Sequence, residues 1–149
     1  MPIEKKEVKM NDYIFGYGSL ISKKSRNKTG ISGKTFPVRV KGFKRNWNVR
    51  IKEDKGTFLG IIKKEKASCN GVIFEIKKNE IKKFDKREKD YKRIKLKRDS
   101  LTILGKGILP KTNFWVYIPK KPKLPTKKYP VLMSYIYVVL SGCLKINED

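Results

Sequence analysis

A turn near the start of the chain and an acidic segment in its middle contain the residue types that could do chemistry. Residues 13–21 read Tyr-Ile-Phe-Gly-Tyr-Gly-Ser-Leu-Ile, so a short apolar strand leads directly into a turn with two glycines. Glycine adopts backbone conformations that other residues avoid, and N–H groups that converge in such a turn can bind an anion. The pattern therefore predicts a backbone site for a small carboxylate. An ordinary turn at the end of a strand explains it equally well.

The acidic segment reads Asp-Lys-Arg-Glu-Lys-Asp-Tyr over residues 85–91. On a helix, the spacing of Ile81, Phe84 and Glu88 brings all three side chains to one face. Glu88 then ends an apolar stripe, and partial burial would raise its pKa toward the range of a general acid/base. A charged helix end paired with a lysine is the alternative interpretation. Asp85 lies four residues after Ile81, so the spacing does not choose between the two acids.

Several common active-site types are excluded by composition. The chain has no histidine, so Ser19 cannot belong to a Ser-His couple and neither cysteine can belong to a Cys-His couple. A G-x-G-x-x-G motif beginning at Gly16 fails because residue 21 is isoleucine. Cys69 and Cys143 are far apart in sequence, with no C-x-x-C pair, which argues against a zinc site and favours two reduced thiols. No metal or cofactor is expected.

Alternating and apolar segments predict the elements that position these residues. Strands are expected at 13–17, 36–40, 47–51, 57–62, 71–76, 91–98, 101–104 and 114–118. Residues 22–32 are predicted to form a loop. A helix over 80–89 would be capped by Asn79, four prolines between 119 and 130 favour an extended crossing segment, and a last helix is expected over 131–144. The fold class indicated is α+β with a curled sheet.

Length and charge limit the other possibilities. The 149 residues suit one domain, with residues 1–11 as a loose tail. The net charge is +24, from 31 lysines and 7 arginines against 14 acids. Lysines spread along the chain indicate a solvated surface, and specific nucleic-acid binding is not expected. A basic RNA- or polyanion-binding protein is the alternative, since residues 77–98 hold 12 basic and 4 acidic residues. No segment resembles a secretory signal or a membrane span, so a cytoplasmic location is expected.

Together the two segments resemble a known family. Residues 15–21, Phe-Gly-Tyr-Gly-Ser-Leu-Ile, resemble the Tyr-Gly-Ser signature of the γ-glutamylcyclotransferase family, with its ChaC-like and AIG2-like branches, and are especially similar to the ChaC-like branch. Residues 71–76 and 84–91 resemble that family's strand and acidic helix, and the proline-rich crossing and last helix extend the resemblance to about residues 12–144. Unlike ChaC-like sequences, the segment Lys89-Asp90-Tyr91 has no glycine before the tyrosine.

The resemblance implies a mixed β-barrel with flanking helices and a cofactor-independent enzyme. Such an enzyme releases 5-oxoproline from a small γ-glutamyl substrate. By the resemblance, the backbone of Tyr17, Gly18, Ser19 and Leu20 would hold the α-carboxylate of the substrate. Glu88 would be the general acid/base, and Tyr117 and Tyr129 would line the pocket. A catalytically silent member of the same fold is a further alternative. The resemblance indicates neither the leaving group nor the oligomeric state.

Overall fold

The centre of the fold is strand β1 (Asp12–Gly16), whose five residues are all buried. Its side chains alternate between two hydrophobic clusters, with Tyr13 and Phe15 in one and Ile14 in the other. This alternation explains the continuous apolar run in the sequence, because a strand covered on both faces buries every side chain. The computed structural model describes residues 10–148, with side chains to residue 146. The tail predicted over 1–11 therefore lies outside the described residues except for its last two positions.

The other elements follow in chain order: α1 (Lys23–Asn27), β2 (Ser32–Ile51), β3 (Gly56–Ile76), α2 (Ile81–Arg87), β4 (Tyr91–Leu96), β5 (Leu101–Ile103), β6 (Phe114–Pro119) and α3 (Met133–Glu148). The six strands form one sheet in the order β4-β6-β1-β3-β2-β5. β1 and β6 are parallel, and the other neighbouring strands are antiparallel. The predicted α+β class with a mixed sheet is confirmed.

The sheet is open, so the predicted barrel closure is wrong. β4 and β5 form its two edges, and β5 has only three residues, too few to close the sheet. Curvature comes instead from the long hairpin of β2 and β3. Each strand was expected as two short strands, but each is continuous, with 20 and 21 residues. Three shifts of register along this hairpin bend the strands, and one of them lies at Gly42, with φ +88°, where the sequence predicted a break.

The segment predicted as a loop over 22–32 contains the short helix α1. Ser22 caps this helix, because its Oγ accepts a hydrogen bond from the Ser25 N–H at 3.2 Å. Arg26, in the middle of α1, is buried and lies over the Phe74 ring at 4.8 Å. A helix of five residues is too short for apolar periodicity to show, so the prediction missed it.

α2 is shorter than predicted and α3 is displaced. α2 buries Ile81 and Phe84, and the Phe84 ring lies 5.6 Å from that of Phe74. Glu88 directly follows α2 as its C-terminal cap. α3 begins at Met133 and continues through Gly142 to Glu148, although Gly142 was expected near its end. A Cβ at Gly142 would lie 2.8 Å from the backbone N of Ser22, so glycine is needed for the close approach of helix and turn.

Residues 10–148 contain neither a helix suited to a membrane span nor a side-chain cluster suited to a metal ion. None of the helices there has the length and apolar character needed to cross a bilayer. Within the same range, no group of three or more His, Cys, Asp or Glu side chains is arranged to hold a metal ion.

Candidate active site

The turn after β1 and the segment after α2 line one cavity. Its walls are formed by Phe15, Tyr17, Gly18, Ser19, Leu20, Leu59, Glu88, Tyr91, Tyr117 and Tyr135. The free space among these side chains is about 20 Å³, which is room for about one water molecule. The two segments singled out in the sequence, some 70 residues apart, therefore meet at one site.

The turn is held from behind by a buried arginine. Ile21 N donates to Gly18 O at 3.0 Å and Ser22 N donates to Ser19 O at 3.1 Å, which closes a single 3-10 turn. Nη1 of Arg26 donates to both Leu20 O and Ile21 O at 2.9 Å. Burial, with a smaller contribution from the nearby Arg87, lowers the pKa of Arg26 to about 10. The guanidinium thus fixes the turn through its carbonyl oxygens and adds positive charge beside it.

The phenol of Tyr135, from the first turn of α3, occupies the cavity side of the N-terminal turn. Burial raises its pKa to about 12, while hydrogen bonds with the backbone of Ser19 and Leu59 and with the Ser19 hydroxyl lower it. Its ring packs edge-on against Phe58, with centroids 4.6 Å apart. The Tyr135 hydroxyl oxygen therefore lies directly beside the turn, next to Gly18 and Ser19.

Gly18 is required at this position because of Tyr135. A Cβ on Gly18 would lie 2.7 Å from the Tyr135 hydroxyl oxygen. The φ of Gly18 is −131°, a value open to any residue, so close approach rather than a left-handed backbone is the reason for glycine.

Glu88 presents a nearly buried carboxylate to the cavity. Its side chain is 13% exposed. Burial raises its pKa from 4.5 to about 7, with Arg87 opposing and Asp90 reinforcing the change. The backbone N–H of Glu88 donates to Phe84 O at 2.9 Å, which anchors the residue to the last turn of α2. A carboxyl group with this pKa can both accept and donate a proton near neutral pH.

Four tyrosines surround Glu88. Burial raises the pKa of Tyr17, Tyr91, Tyr117 and Tyr135, and the Glu88 carboxylate contributes to each increase. The Tyr17 hydroxyl donates to Tyr117 O at 2.5 Å, and the Tyr91 hydroxyl donates to Leu59 O at 2.7 Å. The phenols are therefore fixed in place, and all of them stay protonated at neutral pH.

Asp85, the other acid that the helical spacing allowed, has different partners. Its Oδ1 lies 2.9 Å from Nε of Arg93 and accepts a hydrogen bond from the Tyr117 hydroxyl at 2.7 Å. Arg93 in turn lies over the Trp115 ring at 4.4 Å. Asp85 is not among the residues that line the cavity. It orients Tyr117, while Glu88 faces the cavity.

The predicted substrate-binding residues divide into two groups. Tyr17, Gly18, Ser19, Leu20 and Tyr117 line the cavity, together with Glu88. Tyr129 does not, and this expectation is corrected. Its ring lies 4.5 Å from the Arg50 guanidinium, and its carbonyl oxygen accepts a hydrogen bond from Thr57 Oγ1 at 2.6 Å. The proline-rich segment runs alongside the start of β3 at Thr57, so Tyr129 lies outside the cavity.

Sequence reasoning missed two cavity tyrosines. Tyr91 belongs to the acidic segment that carried the family resemblance. Its position there, at the start of β4, could have indicated that it lies near Glu88. Tyr135 lies in the predicted last helix, where nothing in the local pattern distinguishes it from Tyr137, which is 73% exposed.

Comparison with known families identifies the fold. Residues 14–136 match the family model described as gamma-glutamyl cyclotransferase, AIG2-like. The chain belongs to the AIG2-like γ-glutamyl cyclotransferase family. The resemblance seen in residues 15–21 and 84–91 is thus confirmed at the level of the family. A search of curated protein sequences gives no match.

Solved structures of similar fold include γ-glutamyl cyclotransferases. One described as gamma-glutamyl cyclotransferase is 13% identical, with a TM-score of 0.69 over 91% of this chain and 79% of the other. A yeast structure described as a γ-glutamyl cyclotransferase specific to glutathione is 13% identical, with a TM-score of 0.66 over 91% of this chain and 88% of the other. An uncharacterized human protein is 14% identical, with a TM-score of 0.67 over 89% of this chain and 78% of the other. At such identities the likeness shows the shared fold.

Proposed function

We propose that this chain is a cyclotransferase that releases 5-oxoproline from a γ-glutamyl compound. The observation that carries the proposal is the position of Glu88, nearly buried, across a small cavity from the turn of residues 17–20. Membership of the γ-glutamyl cyclotransferase family supports the same reaction class. The turn would bind the α-carboxylate of the substrate, and Glu88 would act as general acid/base.

The reaction needs no nucleophile from the protein, which suits a chain without histidine. The α-amine of the substrate attacks its own γ-carbonyl carbon, a five-membered ring closes, and the bond from that carbon to the leaving nitrogen breaks. Holding the substrate in the folded conformer supplies the proximity effect. In its ionised form Glu88 accepts a proton from the α-ammonium group, and in its protonated form it returns one to the leaving nitrogen.

Tyr91, beside Glu88, would stabilise the charge that develops on the γ-carbonyl oxygen. Its hydroxyl stays protonated because burial raises its pKa, so at neutral pH it would donate to that oxygen in place of Leu59 O. Tyr135 is the phenol that contacts Ser19. A substrate carboxylate at the turn would take the place of that phenol oxygen.

The direct test is the Glu88→Gln substitution, which removes the titrating group and keeps nearly the same volume. We expect 5-oxoproline release to fall at least about a hundredfold, since a positioned acid/base contributes that much or more. Circular dichroism should show an unchanged fold. The matched control is Glu65→Gln on the exposed face of β3, which should release product at the wild-type rate. Undiminished turnover in Glu88→Gln would remove Glu88 from the mechanism.

The leaving group is best determined with a panel of substrates. Glutathione, γ-glutamyl dipeptides and γ-glutamyl amines share the γ-glutamyl group and differ beyond the bond that breaks. We expect at least one class to yield 5-oxoproline in a Glu88-dependent way. No product from any class would support the alternative of a catalytically silent member of the fold.

A further inference from the structure

We infer that Arg87 is a positioning residue whose single guanidinium group fixes the Glu88 carboxylate and Ser19 of the N-terminal turn relative to each other. The inference rests on the proposed function and concerns how its two halves are held together. Arg87 is the last residue of α2 and does not line the cavity. Its side chain reaches across to α1 and to the turn that follows β1.

The two Nη groups of the Arg87 guanidinium make four hydrogen bonds, and its Nε forms an ion pair with Glu88. Nη1 donates to Ser25 O at 2.7 Å and to Thr29 Oγ1 at 3.0 Å. Nη2 donates to Ser25 Oγ at 2.6 Å and to Ser19 Oγ at 3.2 Å. Nε lies 3.5 Å from Oε1 of Glu88. Four hydrogen bonds and one ion pair from a single planar group therefore connect the acid with the turn that would bind the substrate.

The planar fork explains why an arginine is needed. Lysine carries three donors on one nitrogen and has no fixed plane, so it could keep the charge but not all four hydrogen bonds together with the ion pair. The Arg87 side chain is 21% exposed, which places most of this network away from bulk water. Bonds from a charged donor in such surroundings are the stronger kind and hold their geometry.

Arg87 also affects the charge of the acid that it holds. Burial is the main cause of the raised pKa of Glu88, and the Arg87 charge acts against that increase. Removing the charge would raise the pKa of Glu88 further, so the ionised base would form only at higher pH. A residue with a purely structural role elsewhere in α2 would leave this titration unchanged.

The test separates geometry from charge with two substitutions, Arg87→Lys and Arg87→Met. The Glu88 carboxyl is titrated by ¹³C NMR and assigned by comparison with Glu88→Gln, and 5-oxoproline release is measured against pH. For Arg87→Met we expect the Glu88 titration and the lower limb of the rate profile to move to higher pH. For Arg87→Lys we expect a titration close to wild type, with kcat/KM lowered roughly tenfold to a hundredfold by misplacement.

Lys86→Met is the matched control, because it removes the same charge from the neighbouring, exposed residue of α2. It should leave both the titration and kcat/KM at wild-type values. If Arg87→Met does not fold, Thr29→Ala weakens the fork without changing its charge or the cavity wall. It should lower kcat/KM more than Lys86→Met does.

Two results would overturn the inference: wild-type kcat/KM in Arg87→Lys, or an unmoved Glu88 titration in Arg87→Met. Absence of 5-oxoproline release from the wild-type protein would instead refute the proposed function. In that case the NMR titration of Arg87→Met and the amide exchange of residues 17–20 in Arg87→Lys still decide the inference, since neither measurement needs turnover. Faster exchange in that turn is the expected result.

Discussion

At the scale of single residues, the burial that makes Glu88 useful for proton transfer also weakens the fold. Its pKa is about 7 in the folded protein, against 4.5 in an exposed glutamate. Between these values the folded state holds a proton that the unfolded chain has lost. The stability of the fold therefore decreases as pH rises from about 4.5 to about 7, and the penalty is complete above this range.

This linkage predicts that Glu88→Gln is more stable than the wild type at pH 8. The difference should reach at most roughly 3 kcal/mol, the equivalent of the change in pKa. At pH 4 the two proteins should differ little, because the carboxyl group is then neutral in both states. Urea unfolding at the two pH values measures the effect, with Glu65→Gln as the control. A stability difference that does not depend on pH would show that the carboxylate is not desolvated.

Helical spacing could predict which residues share a face, but not which acid enters the cavity. Ile81 and Phe84 are buried as the pattern indicated, yet Glu88 lies just beyond the helix as its cap. The deciding contact is a tertiary one. Arg93 on β4 pairs with Asp85, and Glu88 is the acid that faces the cavity beside the turn. The sequence pattern of α2 alone contains no information about that partner.

At the scale of elements, the first turn of α3 determines whether the cavity is open. Tyr135 contacts Trp47 and Phe58 with its ring and Ser19 with its hydroxyl. The free space of about 20 Å³ is too small for a γ-glutamyl group. Substrate binding in the proposed function thus requires Tyr135 to give up its place at the turn.

We expect Tyr135→Phe to lower KM for a γ-glutamyl substrate by up to about tenfold. The ring would keep its packing, while the substrate carboxylate would no longer compete with the phenol oxygen for its place beside Ser19, an effect about as large as one hydrogen bond. Initial rates over a range of substrate concentrations measure the effect. Tyr137→Phe, on an exposed position of the same helix, is the matched control. A raised KM in Tyr135→Phe would mean that the hydroxyl is itself a substrate contact.

Elements marked by a local apolar pattern were predictable, and those defined by long-range contacts were not. β1 and the buried part of α2 follow from their apolar residues. The continuity of β2 past Gly42 does not, because the glycine that suggested a break forms a bulge within a long antiparallel pair. Helix α1 depends on Ser22 as its cap and on the burial of Arg26 among backbone carbonyls, which no local pattern shows.

At the scale of the whole molecule, the high positive charge lies mainly on solvated faces. In α2 and β4 the lysines at 82, 83, 86, 92 and 95 are exposed. The arginines of the same segment turn inward, where Arg87 binds the N-terminal turn and Arg93 pairs with Asp85. The basic run of residues 77–98 therefore combines internal contacts with a diffuse cationic surface.

This distribution predicts RNA binding without sequence preference. Two labelled single strands of equal length, one of uridine and one of mixed sequence, should bind equally at low salt. The logarithm of the binding constant should fall linearly with that of the salt concentration, and binding should be lost near physiological salt. Fluorescence anisotropy measures both. A preference for one sequence that persists at high salt would favour the RNA-binding alternative.

The pairing of β1 with β6 has a consequence for how the protein matures. Tyr17 bonds to the backbone of Tyr117 across 100 residues of chain, and the central strand finds its parallel neighbour only when that distant segment is present. Contacts this remote in sequence form slowly. A nascent chain on the ribosome would carry the turn of residues 17–20 early, yet would complete the cavity around it only after residues 114–135 had been made.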